Sequence, residues 1–147
     1  MIEKYFLNGA SLPTIPVPHD CVIKHIARTD QCIEFVFEDD ISRHDSIQFY
    51  RPNAKSLIVR YHFAYDPNDF SIYKWVQPNR LLSKLVSADG HFQRNKTSLL
   101  TKLPEGKFKL EYLYHNVGYC SIITKLFAGG EIILDAEIDY VEFEWME

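Results

Sequence analysis

The chain is poor in the features that small-molecule chemistry most often needs. Its 147 residues include six Gly, none in a G-x-x-x-x-G-K-[ST] or G-x-G-x-x-G pattern, so nothing in the sequence cradles a nucleotide phosphate. Six histidines, His19, His25, His44, His62, His91 and His115, lack H-x-x-x-H, H-E-x-x-H or paired-Cys spacing, and neither a metal nor a cofactor is called for. Cys21, Cys32 and Cys120 are an odd number without C-x-x-C spacing. A chain of this length needs no disulfides, which predicts free thiols and a cytoplasmic setting. No apolar run reaches about 18 residues, and Met1–Ile15 has no basic stretch leading into an apolar one, so neither a membrane span nor a leader is expected. A net charge of −4 supplies no general field for nucleic acid or anionic lipid.

What is abundant is aromatic. Ten Phe, nine Tyr and two Trp, within a composition 46% hydrophobic and 24% charged, favour pleated, half-buried surfaces and suffice for a core. The expected fold is mainly β, an antiparallel β-sandwich or open barrel. It forms a single domain over 1–147, with an extended Pro-rich arm at 1–18, a β body at 19–147 and one short helix near residues 79–88.

The pattern along the chain gives the detail. Pro13, Pro16 and Pro18 fix an extended arm that cannot pair as a central strand. Cys21 to Arg28 and Cys32 to Glu38 read as a hairpin, Ser46 to Tyr50 as a short strand, and Leu57 to Tyr65 as the clearest alternation, with Leu57, Val59 and Tyr61 on one face. Phe70 to Val76 follows as a strand. Leu81, Leu82, Leu85 and Val86 carry the helical stripe, closed by Asp89-Gly90. His91 to Lys102 reads as loop with at most another helical turn. A meander ends the chain, with turns at Pro104–Gly106, His115–Gly118 and Ala128–Gly130. In its last strand the apolar face holds Ile132, Leu134, Ala136, Ile138 and Tyr140, then passes to Val141, Phe143 and Trp145. That change of phase predicts a bulge or sharp bend at Tyr140-Val141.

Charge is distributed unevenly. Residues 131–147 contain seven acids and no Lys or Arg, whereas residues 1–130 hold all sixteen Lys and Arg and thirteen acids, a balance of +3 against −7. Acids on an outer strand face also keep that strand from pairing with another chain. Read functionally, Asp135, Glu137, Asp139, Glu142 and Glu144 form an anionic surface for a basic protein partner. His19-Asp20-Cys21 contains a nucleophile and a base, but in an extended strand His19 and Cys21 share a face that Asp20 does not, so no triad forms from them alone. Tyr73, Trp75, Tyr119 and Trp145 are aromatics that could stack a sugar or a base. No catalytic residue stands out.

The run Pro18-His19-Asp20-Cys21-Val22-Ile23-Lys24-His25-Ile26, the run Cys32 to Asp40, and the ending Val141-Glu142-Phe143-Glu144-Trp145 resemble the opening and closing strands of many small bacterial β proteins. Some of these are immunity proteins of contact-dependent or polymorphic toxin systems. The resemblance covers some 30 residues and brings no catalytic residue. It implies a small β fold that binds a protein rather than one that turns over a substrate. The alternative from the aromatic surplus is a small-ligand or carbohydrate-binding β-sandwich, conceivably a hydrolase.

Overall fold

The computed structural model describes residues 1–78, 81 and 89–147. Its strands are β1 (Ile2–Phe6), β2 (Val22–Arg28), β3 (Cys32–Phe37), β4 (Ser56–Phe63), β5 (Phe70–Val76), β6 (His91–Asn95), β7 (Leu110–Gly118), β8 (Ser121–Phe127) and β9 (Glu131–Met146). The fold is mainly antiparallel β, as expected. Pairing passes from β2 to β3, β4, β9, β8 and β7, and β7 returns to β2 at Ile23↔Leu110. The pairs thus complete a ring, closed between β2 and β7 only by the short pairing Val22↔Glu111 and Ile23↔Leu110.

The long β9 makes the ring possible because its two halves have different neighbours. Residues Glu131–Glu137 pair with β8, and Ile132–Ala136 with β5. Tyr140–Glu144 pair with β1, and Ile138–Met146 with β4. β6 extends the sheet beyond β5.

Side chains fill the interior. Phe35, Phe37, Leu57, Tyr61, Tyr112, Phe143 and Trp145 are all buried, and Phe35 meets Tyr61 edge-on at 4.9 Å, a favoured aromatic geometry. The polar atoms enclosed here are paired: the Tyr61 hydroxyl lies 2.7 Å from both Tyr112 Oη and Thr124 Oγ1, and Tyr112 Oη lies 2.6 Å from His115 Nδ1. Leu7 and Ile15 of the N-terminal arm belong to the same core.

Three register shifts bend the ring. Each leaves one extra residue on one strand: Lys24 on β2, Leu113 on β7 and Asp139 on β9. The β9 shift is the phase change expected from sequence, placed at Asp139 rather than at Tyr140-Val141. Tyr140 is on the outer side of the switch, stacked on His62 at 4.1 Å.

Elsewhere the structure corrects the sequence reading. Ser46 to Tyr50 is no strand: a 3₁₀ turn, Ile41–Arg43, leads into a helical turn, α1 (Asp45–Gln48). Only Ile41 and Ile47 reach the core from this segment, Phe49 is 92% exposed, and the His44 carbonyl accepts from the N–H groups of both Ile47 and Gln48. His91 to Lys102 contains β6, all but one of whose residues are exposed, followed by a 3₁₀ helix, Thr97–Glu105, anchored by Leu100 and Leu103. The turn expected at His115–Gly118 is strand, because β8 pairs with β7 up to Gly118↔Ser121 and Cys120, at φ 48°, completes the reversal. The helix expected near 79–88 falls outside the described residues.

Candidate functional site

The five acids singled out on β9 separate into two environments. Past the bulge, Glu142 and Glu144 lie opposite the buried Val141, Phe143 and Trp145, but their charge is met by cations. Arg60 Nη1 is 2.8 Å from Glu142 Oε1 and 2.7 Å from Glu144 Oε2, and its Nε is 2.7 Å from Glu34. These contacts follow from register, since Glu34, Arg60 and Glu142 stand side by side on β3, β4 and β9. Lys4 adds a contact to Glu142 at 3.6 Å, and Glu142 retains only 8% exposure. Burial acts against the Arg60 charge, but the hydrogen bonds to Glu34, Glu144 and Glu142 outweigh it and hold the guanidinium above its ordinary pKa.

Before the bulge the surroundings differ. Asp139 accepts from Asn8 Nδ2 at 2.7 Å, while Asp135 and Glu137 are exposed. Together with Asn68, Asp69, Ser71 and Arg94 they line a cavity of about 240 Å³. Loop 64–69 is held there by Arg28, whose Nη2 donates to the Pro67 carbonyl at 2.9 Å and to Asn68. Neither Asp135 nor Glu137 makes an ion pair among the described residues.

His19-Asp20-Cys21 is not extended: Asp20 sits at φ 64°, and the Cys21 N–H donates to the Pro18 carbonyl. The Cys21 thiol is enclosed, and burial, aided by the charges of Glu38 and Asp20, pushes its pKa up to about 12, opposite to what a nucleophile needs. His19 Nδ1 lies 2.6 Å from the Leu113 carbonyl and its Nε2 lies 3.4 Å from Asp20. A polar cavity of about 340 Å³ opens here against Arg43, His44, Asp45 and Ser46. Its Arg43 and His44 already bind Glu38. Burial raises the Glu38 carboxyl, but the Val22 N–H, His44 and Arg43 outweigh it and set it below the ordinary value. Among the described residues no three His, Cys, Asp or Glu are grouped to hold a metal ion.

The four aromatics considered for stacking do not form one platform. Trp145 is buried, donating from Nε1 to Glu3 at 2.9 Å. Tyr119 is exposed on the β7–β8 turn, and Tyr73 and Trp75 lie half-buried on β5. Trp75 does line a cavity of about 450 Å³ with Gln77, Phe127 and Glu131.

One feature went unrecognised in the sequence. Lys4, Lys24, Arg43, Arg51, Arg60 and Lys125 are engaged with carboxylates, whereas Lys74, Arg94, Lys96, Lys102 and Lys107 form no ion pair among the described residues. The signal was available, since residues 94–109 contain five Lys and Arg and a single acid, Glu105. Against known proteins, the chain matches no family model, no curated protein and no solved structure.

Proposed function

We propose that the chain is a non-enzymatic binding protein of the immunity type, which uses the acidic surface before the β9 bulge to engage a basic protein. The observation that carries this is the division of the acids. Asp135 and Glu137 are exposed and make no ion pair among the described residues, with the half-buried Asp69 beside them, while Glu142 and Glu144 are ion-paired with Arg60 and Lys4. Unpaired surface carboxylates speed capture of a cationic partner and choose between partners. A Cys21 thiol whose pKa burial raises, with His19 at the Leu113 carbonyl and His44 at Glu38, fits binding better than turnover. The free Cys21, Cys32 and Cys120 suit a cytoplasmic setting.

The test uses the product of the gene adjacent to this chain's own, mixed with the protein and with two variants. Asp135→Asn with Glu137→Gln is expected to weaken the complex by about ten-fold, mostly through a slower, less salt-sensitive association. Glu142→Gln with Glu144→Gln is expected to lower thermal stability and leave affinity within about two-fold. Equal affinity for the first variant and the wild type would sink the proposal. The small-ligand alternative draws on one observation, the cavity bounded by Trp75 and Phe127; an oligosaccharide stacked there would quench Trp75 fluorescence.

A further inference from the structure

Five cations that form no ion pair among the described residues lie around an apolar groove. A depression of about 180 Å³ is floored by Leu99, Leu103, Phe108, Ala128 and Ile132, and its rim carries Lys74, Lys102 and Lys107. A second depression, of about 380 Å³, adjoins it through the shared Leu99 and Lys102 and adds Arg94 and Lys96. The floor is firmly built: Leu103 and Ile132 belong to the core. Phe108, though 54% exposed, lies directly against Gly129, where a Cβ would come within 2.5 Å of its ring. Gly129 has φ +69°, a conformation that glycine adopts without strain.

We infer that this groove is a docking site for an acidic protein segment that places one apolar side chain on the Leu99–Phe108 floor while its carboxylates face Lys74, Lys102 and Lys107. Charge complementarity selects the sign of the occupant, since none of these lysines has a carboxylate partner among the described residues. The choice of a protein over nucleic acid or a lipid surface comes from Arg94. It lines both this basic region and the cavity of Asp69, Asp135 and Glu137, so the basic region ends abruptly against an acidic one. A polyanion or an anionic bilayer would be repelled at that border, whereas a protein can present an acidic segment beside a basic patch. The inference rests on the reading of the chain as a binding protein but not on the acidic cavity, so either can fail alone.

The test is fluorescence anisotropy with a labelled synthetic peptide in which Asp and Glu flank a single Leu. Saturable, salt-sensitive binding is expected, weakened at least about ten-fold when the peptide's acids are replaced by amides, and more modestly when its Leu becomes Ser. Lys102→Glu with Lys107→Glu is expected to weaken binding at least about ten-fold. Lys55→Glu, a charge reversal at an exposed lysine outside the groove, is expected to leave it unchanged. Lys102→Gln with Lys107→Gln gives an intermediate loss and guards against misfolding of the reversal variant, with circular dichroism confirming the fold of each. Absence of saturable binding, equal binding by the groove variants and Lys55→Glu, or stronger binding of a single-stranded oligonucleotide or of phosphatidylglycerol vesicles than of the peptide overturns the inference.

Discussion

Glu3 shows how much one side chain can organise. It sits on the short β1, yet its carboxylate accepts from Trp145 Nε1 and Tyr5 Oη at 2.9 Å and pairs with Arg51. It thereby joins the first strand, the segment after α1 and the last strand. Burial raises the Glu3 carboxyl, but hydrogen bonds from Trp145, Tyr5 and Arg51, with the Arg51 charge, hold it below the ordinary value. Arg51 Nε is already buried without a hydrogen-bond partner among the described residues, so losing the Glu3 charge leaves the guanidinium poorly compensated. Glu3→Gln is therefore expected to lower unfolding stability by about 1–3 kcal/mol in urea denaturation; a change below about 0.5 kcal/mol, typical of a neutral surface substitution, would contradict this role. Nothing in the sequence marks Glu3, because Arg51 and Trp145 lie 48 and 142 residues away and only the fold brings them to it.

Among the elements, legibility depended on whether one face is buried. β3 and β4 were readable because Ile33, Phe35 and Phe37, and Leu57, Val59 and Tyr61, alternate between core and outside, which gives the period of two its physical cause. β6 was not readable, since a strand exposed on both faces carries no such pattern, and α1 imitated a strand because its few apolar residues are not sorted by face. The bulge was legible as a change of phase in β9 but not in position, because Tyr140 is apolar without belonging to the core. The acids were legible as a composition, while their division into compensated and uncompensated groups depended on Arg60 lying opposite Glu142. The bulge also gives a sharp prediction. Deleting Asp139 removes the extra residue, so β9 must either turn Val141, Phe143 and Trp145 outward or shift its pairing with β4. Deletion is expected to abolish cooperative thermal unfolding. Asp139→Ala keeps the residue count, loses the Asn8 contact, and is expected to cost about 1 kcal/mol. Deletion no more harmful than that substitution would mean that the switch of face does not depend on the bulge.

At the scale of the molecule, several titrating groups bias stability in one direction. Burial lowers the pKa of His115, against a hydrogen bond to the backbone of Ile15 that favours its charged form. Burial likewise lowers that of His62, with Lys4 and Arg60 acting in the same sense and Glu142 in the opposite one. Glu3 and Glu38 are lowered on balance as well. A group whose pKa is lower folded than unfolded binds protons more readily in the unfolded chain, so stability rises with pH across the interval between the two values. The histidine contribution is fully present above the unfolded value of 6.5 and is lost as pH falls through the folded values. The carboxylate contribution is fully present above 4.5 and is lost lower still. The thermal midpoint should therefore fall in two stages on acidification from neutrality. In His62→Gln with His115→Gln the upper stage should flatten while the lower persists, and in Glu3→Gln the lower should shrink while the upper persists. A midpoint that rises between pH 7 and pH 5, about the range in which an unperturbed histidine titrates, would show that the protein prefers these histidines charged, against the burial that lowers the pKa of both.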